Sequence, residues 1–336
     1  MCRWLLLFCF LLSVASEAST EIPLGSDVRK LSISGINTEL KIRPATSSKS
    51  LKLAVKKSIP GNVSSDIKEA NEAWSVRWEK KGEVLLIKVD APSDKRLWRE
   101  YTQKGGWPKF TLLIQSPAMP LEVFTRKGDI SIENWKGKIT ATALSGVMNI
   151  KDSEGDLNLS LQSGQMNLAN HQGSVEIENF SSKTVVSGLK GDLVLNNFDG
   201  STLVTKAEGG LNLQAHRGAV KVSESKGRLI FESGDNSTII ERFDGSIKGE
   251  SGQGDIRVTS SGKINVNLKS NQGAINVRAQ GSGASVNVGT KEGGLYLPSY
   301  FKLTRYANMK VMAGRLRGGS SGRVYVRTES GNVRVR

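Results

Sequence analysis

Few residues in this chain have the types and spacing for catalysis. Its two cysteines, Cys2 and Cys9, both lie within the first eighteen residues, and its two histidines, His171 and His216, stand 45 residues apart. A histidine pair that far apart acts as one acid–base or metal site only if the fold joins its members. Carboxylates are more plentiful. Asp152, Glu154 and Asp156 alternate along one segment, and two carboxylates facing each other across a cleft are all that glycoside hydrolysis requires. Asp129, Asp156, Asp192 and Asp255 each follow a glycine, as an aspartate would in a calcium-binding nonapeptide repeat. They do not recur at the even interval such an ion ladder needs. No catalytic, cofactor-binding or metal-binding residue is therefore expected, and the weight shifts to the elements that would carry a binding surface.

Those elements are set by a nine-residue step. From Gly128 to Gly254 glycine fills 13 of 15 positions, with Ser182 and Asn236 as the exceptions, although only 36 of 336 residues are glycine. Asparagine is the residue that best replaces glycine in a left-handed backbone, so the step is expected to mark turns of positive φ. The third residue of each unit is apolar or threonine (Thr184, Thr202 and Thr238), and the fifth is apolar everywhere except at Gly249. Apolar residues two apart with a mostly polar residue between them describe a strand with one buried face. One short strand cannot bury that face alone, whereas stacked copies share a continuous core.

The predicted fold is an all-β, single-domain parallel β-solenoid of nine-residue strand–turn units, with irregular capping strands at both ends. Asn-containing turns such as Asn134-Trp135-Lys136-Gly137 alternate imperfectly with Ser-Gly turns such as Ser145-Gly146. This super-period of eighteen implies two strands per rung, with a three-faced solenoid as the alternative. The two histidines are an odd number of units apart, so two-strand rungs put them on opposite faces. The expected organisation is a signal peptide over 1–18, irregular strands and a cap over 19–127, regular rungs over 128–262, and irregular basic rungs with a second cap over 263–336.

Residues 1–18 combine an early arginine, an apolar centre from Leu5 to Val14 and a small-residue region around Ala15 and Ala18, the layout of an export signal. The apolar run is too short to span a bilayer, so an exported protein of the periplasm, cell surface or medium is expected, with no transmembrane span. The charge is uneven. Residues 19–127 hold 20 basic and 12 acidic side chains, residues 128–288 hold 16 and 17, and residues 289–336 hold 10 and 2.

Three surfaces could bind a partner. The first interleaves aromatics and cations between two strands: Arg96, Trp98, Arg99, Tyr101, Lys104 and Trp107, suited to glycans or anionic polymers, or else to plugging the solenoid end beside Trp74 and Trp78. The second is the basic tail, with Lys302, Arg305, Lys310, Arg315, Arg317, Arg323 and Arg327, which would attract anionic surfaces such as lipid headgroups. The third is a strip of apolar residues at outward-facing fourth positions, Val185, Leu203 and Ile239, with Val194 and Ile230 on the other sheet, fit for another envelope protein.

Segments such as Gly128-Asp129-Ile130-Ser131-Ile132, Gly191-Asp192-Leu193-Val194-Leu195, Gly254-Asp255-Ile256-Arg257-Val258 and Glu329-Ser330-Gly331-Asn332-Val333-Arg334-Val335 resemble a bacterial family of β-strand-repeat cell-envelope proteins. That family is classed as candidate adhesins and is a domain family of unknown function. The resemblance runs from about residue 25 to residue 336 and implies an envelope solenoid with no catalytic residues to carry over. The expected function is a non-enzymatic, adhesin-like scaffold contacting anionic envelope polymers or glycans through its basic ends. A protein-interaction scaffold using the apolar strip is the alternative, then a polysaccharide-active β-helix enzyme. Nucleic acid is not an expected partner of an exported chain.

Overall fold

The structure is a computed structural model that describes residues 16–59, 71–92, 106–279, 283–316 and 322–336. The chain divides into two compact units, Met1–Ile130 and Ser131–Arg336. Both are all-β; parallel solenoid rungs dominate the second, while the first mixes parallel with antiparallel pairings.

In the second unit the register gives the rung directly. Within the strand Leu157–Gln172, Leu157 pairs with Ile139 on one side and Val175 on the other, while Met166 pairs with Met148 and Thr184. Each step is eighteen residues, so a rung holds two nine-residue units, and the three-faced alternative, which would step by twenty-seven, is excluded. Every third and fifth position from Ile139 to Val258 is buried, as the period-two pattern requires.

The expected positive φ holds at eleven of the thirteen step glycines, Gly218 and Gly254 being the exceptions, and close approach of neighbouring backbones is a second cause. A Cβ on Gly164 would lie 2.0 Å from the carbonyl oxygen of Gly146 one rung away, and one on Gly218 would lie 1.7 Å from that of Gly200. Gly164 has φ +130°, so conformation and close approach both exclude a side chain there, whereas Gly218 lies outside the left-handed region and close approach alone excludes one. Asn236 itself does not adopt positive φ, so it is not a left-handed stand-in for glycine, although the step it belongs to is left-handed at most of its glycines. The left-handed non-glycines form another column, Asn134, Asp152, Asn170, Lys206, Glu224 and Arg242, with φ of 51–55°. They recur at the eighteen-residue rung interval and turn one corner of the solenoid.

The exceptions in the core are paired with each other. Asn179 Nδ2 donates to Thr184 Oγ1 at 2.7 Å, and Asn197 Nδ2 donates to Thr202 Oγ1 at 3.3 Å and to the carbonyls of Ser182 and Gly200. A threonine at a core position is thus served by an asparagine five residues earlier, which removes the cost of burying an unpaired hydroxyl. One rung breaks the pairing: Ser233 replaces the asparagine, and the buried hydroxyls of Ser233 and Thr238 have no partner. At Gly249 the missing side chain is filled by the neighbouring rung, because Phe231 is its register partner and a Cβ on Gly249 would lie 2.1 Å from the phenyl ring.

Both units contain an inserted rung. In the first, Lys30–Pro44 comes early in sequence but lies between Val84–Asp90 and Lys109–Ser116 on one side and Leu121–Lys127 on the other. Antiparallel strands Ser50–Ser58, Ser16–Pro23 and Ser75–Lys81 finish that stack. In the second, the last segment of the chain is inserted. Gly322–Thr328 lies between the C-terminal half of Ile256–Ser270 and Ala284–Thr290, and Val333–Val335 lies between Ile275–Ala279 and Leu295–Tyr296. The hairpin of Lys302–Tyr306 and Met309–Arg315 then caps Ala284–Thr290 in antiparallel fashion, covering an edge that would otherwise invite strand addition.

Candidate functional site

The inserted C-terminal rung creates a site that linear order hides. Register runs from Arg228 to Ser246, to Asn265 and to Arg323, and in parallel from Ile230 to Lys248, to Asn267 and to Tyr325. These residues alternate with the buried Leu229, Ile247, Val266 and Val324, so their side chains share the outer face of one sheet. Arg228 and Arg323 are three rungs apart, roughly 14 Å at the usual inter-strand spacing. Between and beside them lies a surface groove of about 890 Å³ lined by Arg228, Lys248, Asn265, Asn267, Arg323 and Tyr325, with Ser246 and Gly322 on its floor. Among the described residues no carboxylate lines it. Arg228, Lys248 and Arg323 are exposed, and none has an ion-pair partner among the described residues. The Arg327 guanidinium lies 4.2 Å from the Tyr325 ring and donates to Asn287 Oδ1 at 2.7 Å, which fixes the rim. The arrangement can hold an elongated anion by charge at three points and by amide and hydroxyl hydrogen bonds between them.

Of the basic tail, then, the fold separates the members. Arg323 enters the groove and Arg327 braces it. Lys310 Nζ donates to the carbonyls of Glu292 and Gly293, Lys302, Arg305 and Arg315 are exposed on the capping hairpin, and Arg317 lies outside the described residues. Arg228 and Lys248 were not singled out by the sequence, because they sit in the rungs whose total charge is near zero. The available signal was positional: Arg228 and Arg323 are both second in their units, and Lys248 and Tyr325 both fourth.

The aromatic segment is described only at Trp107, since Arg96, Trp98, Arg99, Tyr101 and Lys104 lie outside the described residues. Trp107 packs edge-on against the buried Trp74 at 6.0 Å, and Trp74 in turn neighbours Phe110 at 6.3 Å. In the apolar strip, Val185 and Leu203 are register partners, but Lys221 stands between Leu203 and Ile239, and all three apolar residues are half-buried.

The histidines do not meet. His171 is fully buried in a corner column with Trp135, Ser153, Leu189, Ala207, Ser225 and Phe243. Its Nδ1 is 2.8 Å from Ser153 Oγ, its Nε2 has no hydrogen-bond partner among the described residues, and burial lowers its pKa below the ordinary value. His216 is exposed at the end of a stack in which the Phe180 and Phe198 rings lie 5.1 Å apart and Phe198 and His216 lie 5.4 Å apart. The signal for that ladder in the sequence is the eighteen-residue spacing of Phe180, Phe198 and His216. Among the described residues no three His, Cys, Asp or Glu side chains come together as a metal site.

No curated protein matches the chain. Three solved structures are similar over nearly their whole length at low identity. They are a candidate cell adhesion protein from Clostridium sporogenes (12% identity, 96% of this chain and 98% of the other, TM-score 0.23), a candidate lipid-binding protein from Parabacteroides distasonis (12%, 96% and 98%, 0.31) and a candidate adhesin from Bacteroides fragilis (10%, 96% and 97%, 0.24). A family profile matches residues 28–336, which hold all the nine-residue rungs, and the chain belongs to the Toastrack DUF4097 family.

Proposed function

We propose that the protein is an exported, non-enzymatic scaffold that binds an elongated anionic envelope polymer or acidic glycan across the Arg228–Arg323 groove. The observation that supports this reading is the convergence in one groove of three cations that, among the described residues, have no ion-pair partner and no carboxylate beside them in the lining. A rod of stacked rungs holds them at fixed spacing because each is anchored on a strand paired on both sides, so little ordering cost is left for binding. The test is retention of the full exported chain on immobilised polygalacturonate and on neutral dextran at rising salt. The acidic polymer is expected to retain the protein at low salt, with retention falling as screening shortens the range of attraction. The double reversal R228E/R323E is expected to weaken binding on the order of tenfold. Equal retention on dextran, or full retention of the double variant, overturns the proposal.

A further inference from the structure

A second surface, separate from the groove, lies on the C-terminal capping hairpin. From Gly293 to Thr328 the chain contains no aspartate or glutamate and seven lysines and arginines. Within the same segment, Tyr296, Tyr300, Leu303 and Tyr306 are exposed by 51%, 46%, 48% and 67%, a concentration of large apolar side chains in eleven residues. The strand Lys302–Tyr306 has all five residues exposed and pairs, among the described residues, only with Met309–Arg315. Lys302, Arg305 and Arg315 flank these side chains without an acidic partner among the described residues. The hairpin is held in place from behind, by the buried Phe301 and Leu316 and by the Lys310 ammonium bound to two carbonyls. Its exposure is therefore a property of a fixed element.

We propose that this hairpin docks edge-on to an anionic phospholipid surface: the pleat puts Leu303 on one face of its outermost strand and Tyr306 on the other, so both flank the edge that enters the headgroup region, where Lys302, Arg305 and Arg315 meet the lipid phosphates. Three physical points favour lipid over a protein partner. Tyrosine, with an apolar ring and a polar tip, suits a boundary that is dry on one side and wet on the other. Long basic side chains can lay their stems along that boundary while their charges reach phosphate. The cores of protein interfaces are depleted in lysine, and Lys302 and Arg305 on the outermost strand oppose pairing with another strand.

The experiment is co-sedimentation of the full exported chain with vesicles of phosphatidylglycerol and phosphatidylcholine, compared with phosphatidylcholine alone. The wild-type protein is expected to sediment with the anionic vesicles only. K302E/R305E is expected to lose at least the roughly fivefold per cation that an anionic surface supplies, and L303S/Y306S to bind at least tenfold more weakly. These side chains are exposed, so circular dichroism of both variants should match the wild type. L303S/Y306S should also retain wild-type binding to polygalacturonate, which separates this surface from the groove. The proposal is overturned if the wild type fails to sediment at low salt, if it sediments equally with neutral vesicles, or if L303S/Y306S binds vesicles as well as the wild type does.

Discussion

Phe231 and Gly249 offer a direct test of how the rungs share volume. They are register partners on adjacent rungs, both at the inward fifth position, and the phenyl ring occupies the space that a side chain at Gly249 would take. Gly249 is not in the left-handed region, so a substitution there meets a packing obstacle with no backbone penalty. Replacing Gly249 by valine drives a Cβ to within 2.1 Å of the ring, and overpacking of this kind costs about 1–3 kcal/mol. Phe231→Val instead opens a void in a fully buried layer, and a large-to-small change there costs about 2–4 kcal/mol. The double variant F231V/G249V returns both positions to the aliphatic type used at the fifth position of most other units. Its loss should fall below the sum of the single losses by about 1–3 kcal/mol, the coupling expected of side chains in contact. Urea titration followed by circular dichroism measures each value, with a constant slope as the check that the same unit unfolds. Additive losses would refute the reasoning and leave Gly249 without a packing explanation.

The same core supports three more expectations. Ser233→Asn should bring an amide to the unpaired Thr238 hydroxyl, as Asn179 and Asn197 do for Thr184 and Thr202, and raise stability by about 1 kcal/mol; an unchanged urea midpoint would reject it. His171 has its pKa lowered first by burial, an effect that the Gly155 and Ser153 backbone contacts and Asp156 oppose. The folded state thus favours the neutral imidazole: its contribution is complete above the ordinary histidine pKa of about 6.5 and is lost as pH falls through the lowered value. H171L should remove that acid sensitivity, read as midpoints at pH 7 and pH 5, and an unaltered pH profile would count against it. Deleting residues 322–336 should unfold the hairpin Lys302–Arg315 and promote association, because it uncovers the edges of Asn265–Ser270 and Ile275–Ala279; hydrogen exchange that leaves Ala284–Thr290 as protected as before would contradict this.

The rod itself was legible residue by residue. Apolar third and fifth positions, glycine at the first and an eighteen-residue alternation of turns are local features, and a strand that buries one face can show no other pattern. Even Gly249 and the core threonines were visible as exceptions, though their causes were not, since Phe231 and Asn197 act across or within rungs at separations that period-two reading does not connect. Burial of His171 also escaped the pattern, because the eighth position is a buried corner on one side of the rung and an exposed one on the other.

What the sequence determined by itself was the repeat and the inward face; what only the tertiary structure decided was the choice of two strands per rung over three and which rungs are neighbours at the ends. Every strand edge presents the same amide and carbonyl groups, so strand pairing over long separations carries little local signature. Insertion of Gly322–Val335 between earlier and later strands is such a choice. It carries Arg323 to within three rungs of Arg228 and leaves Lys302–Tyr306 outermost, and both proposed binding surfaces depend on it.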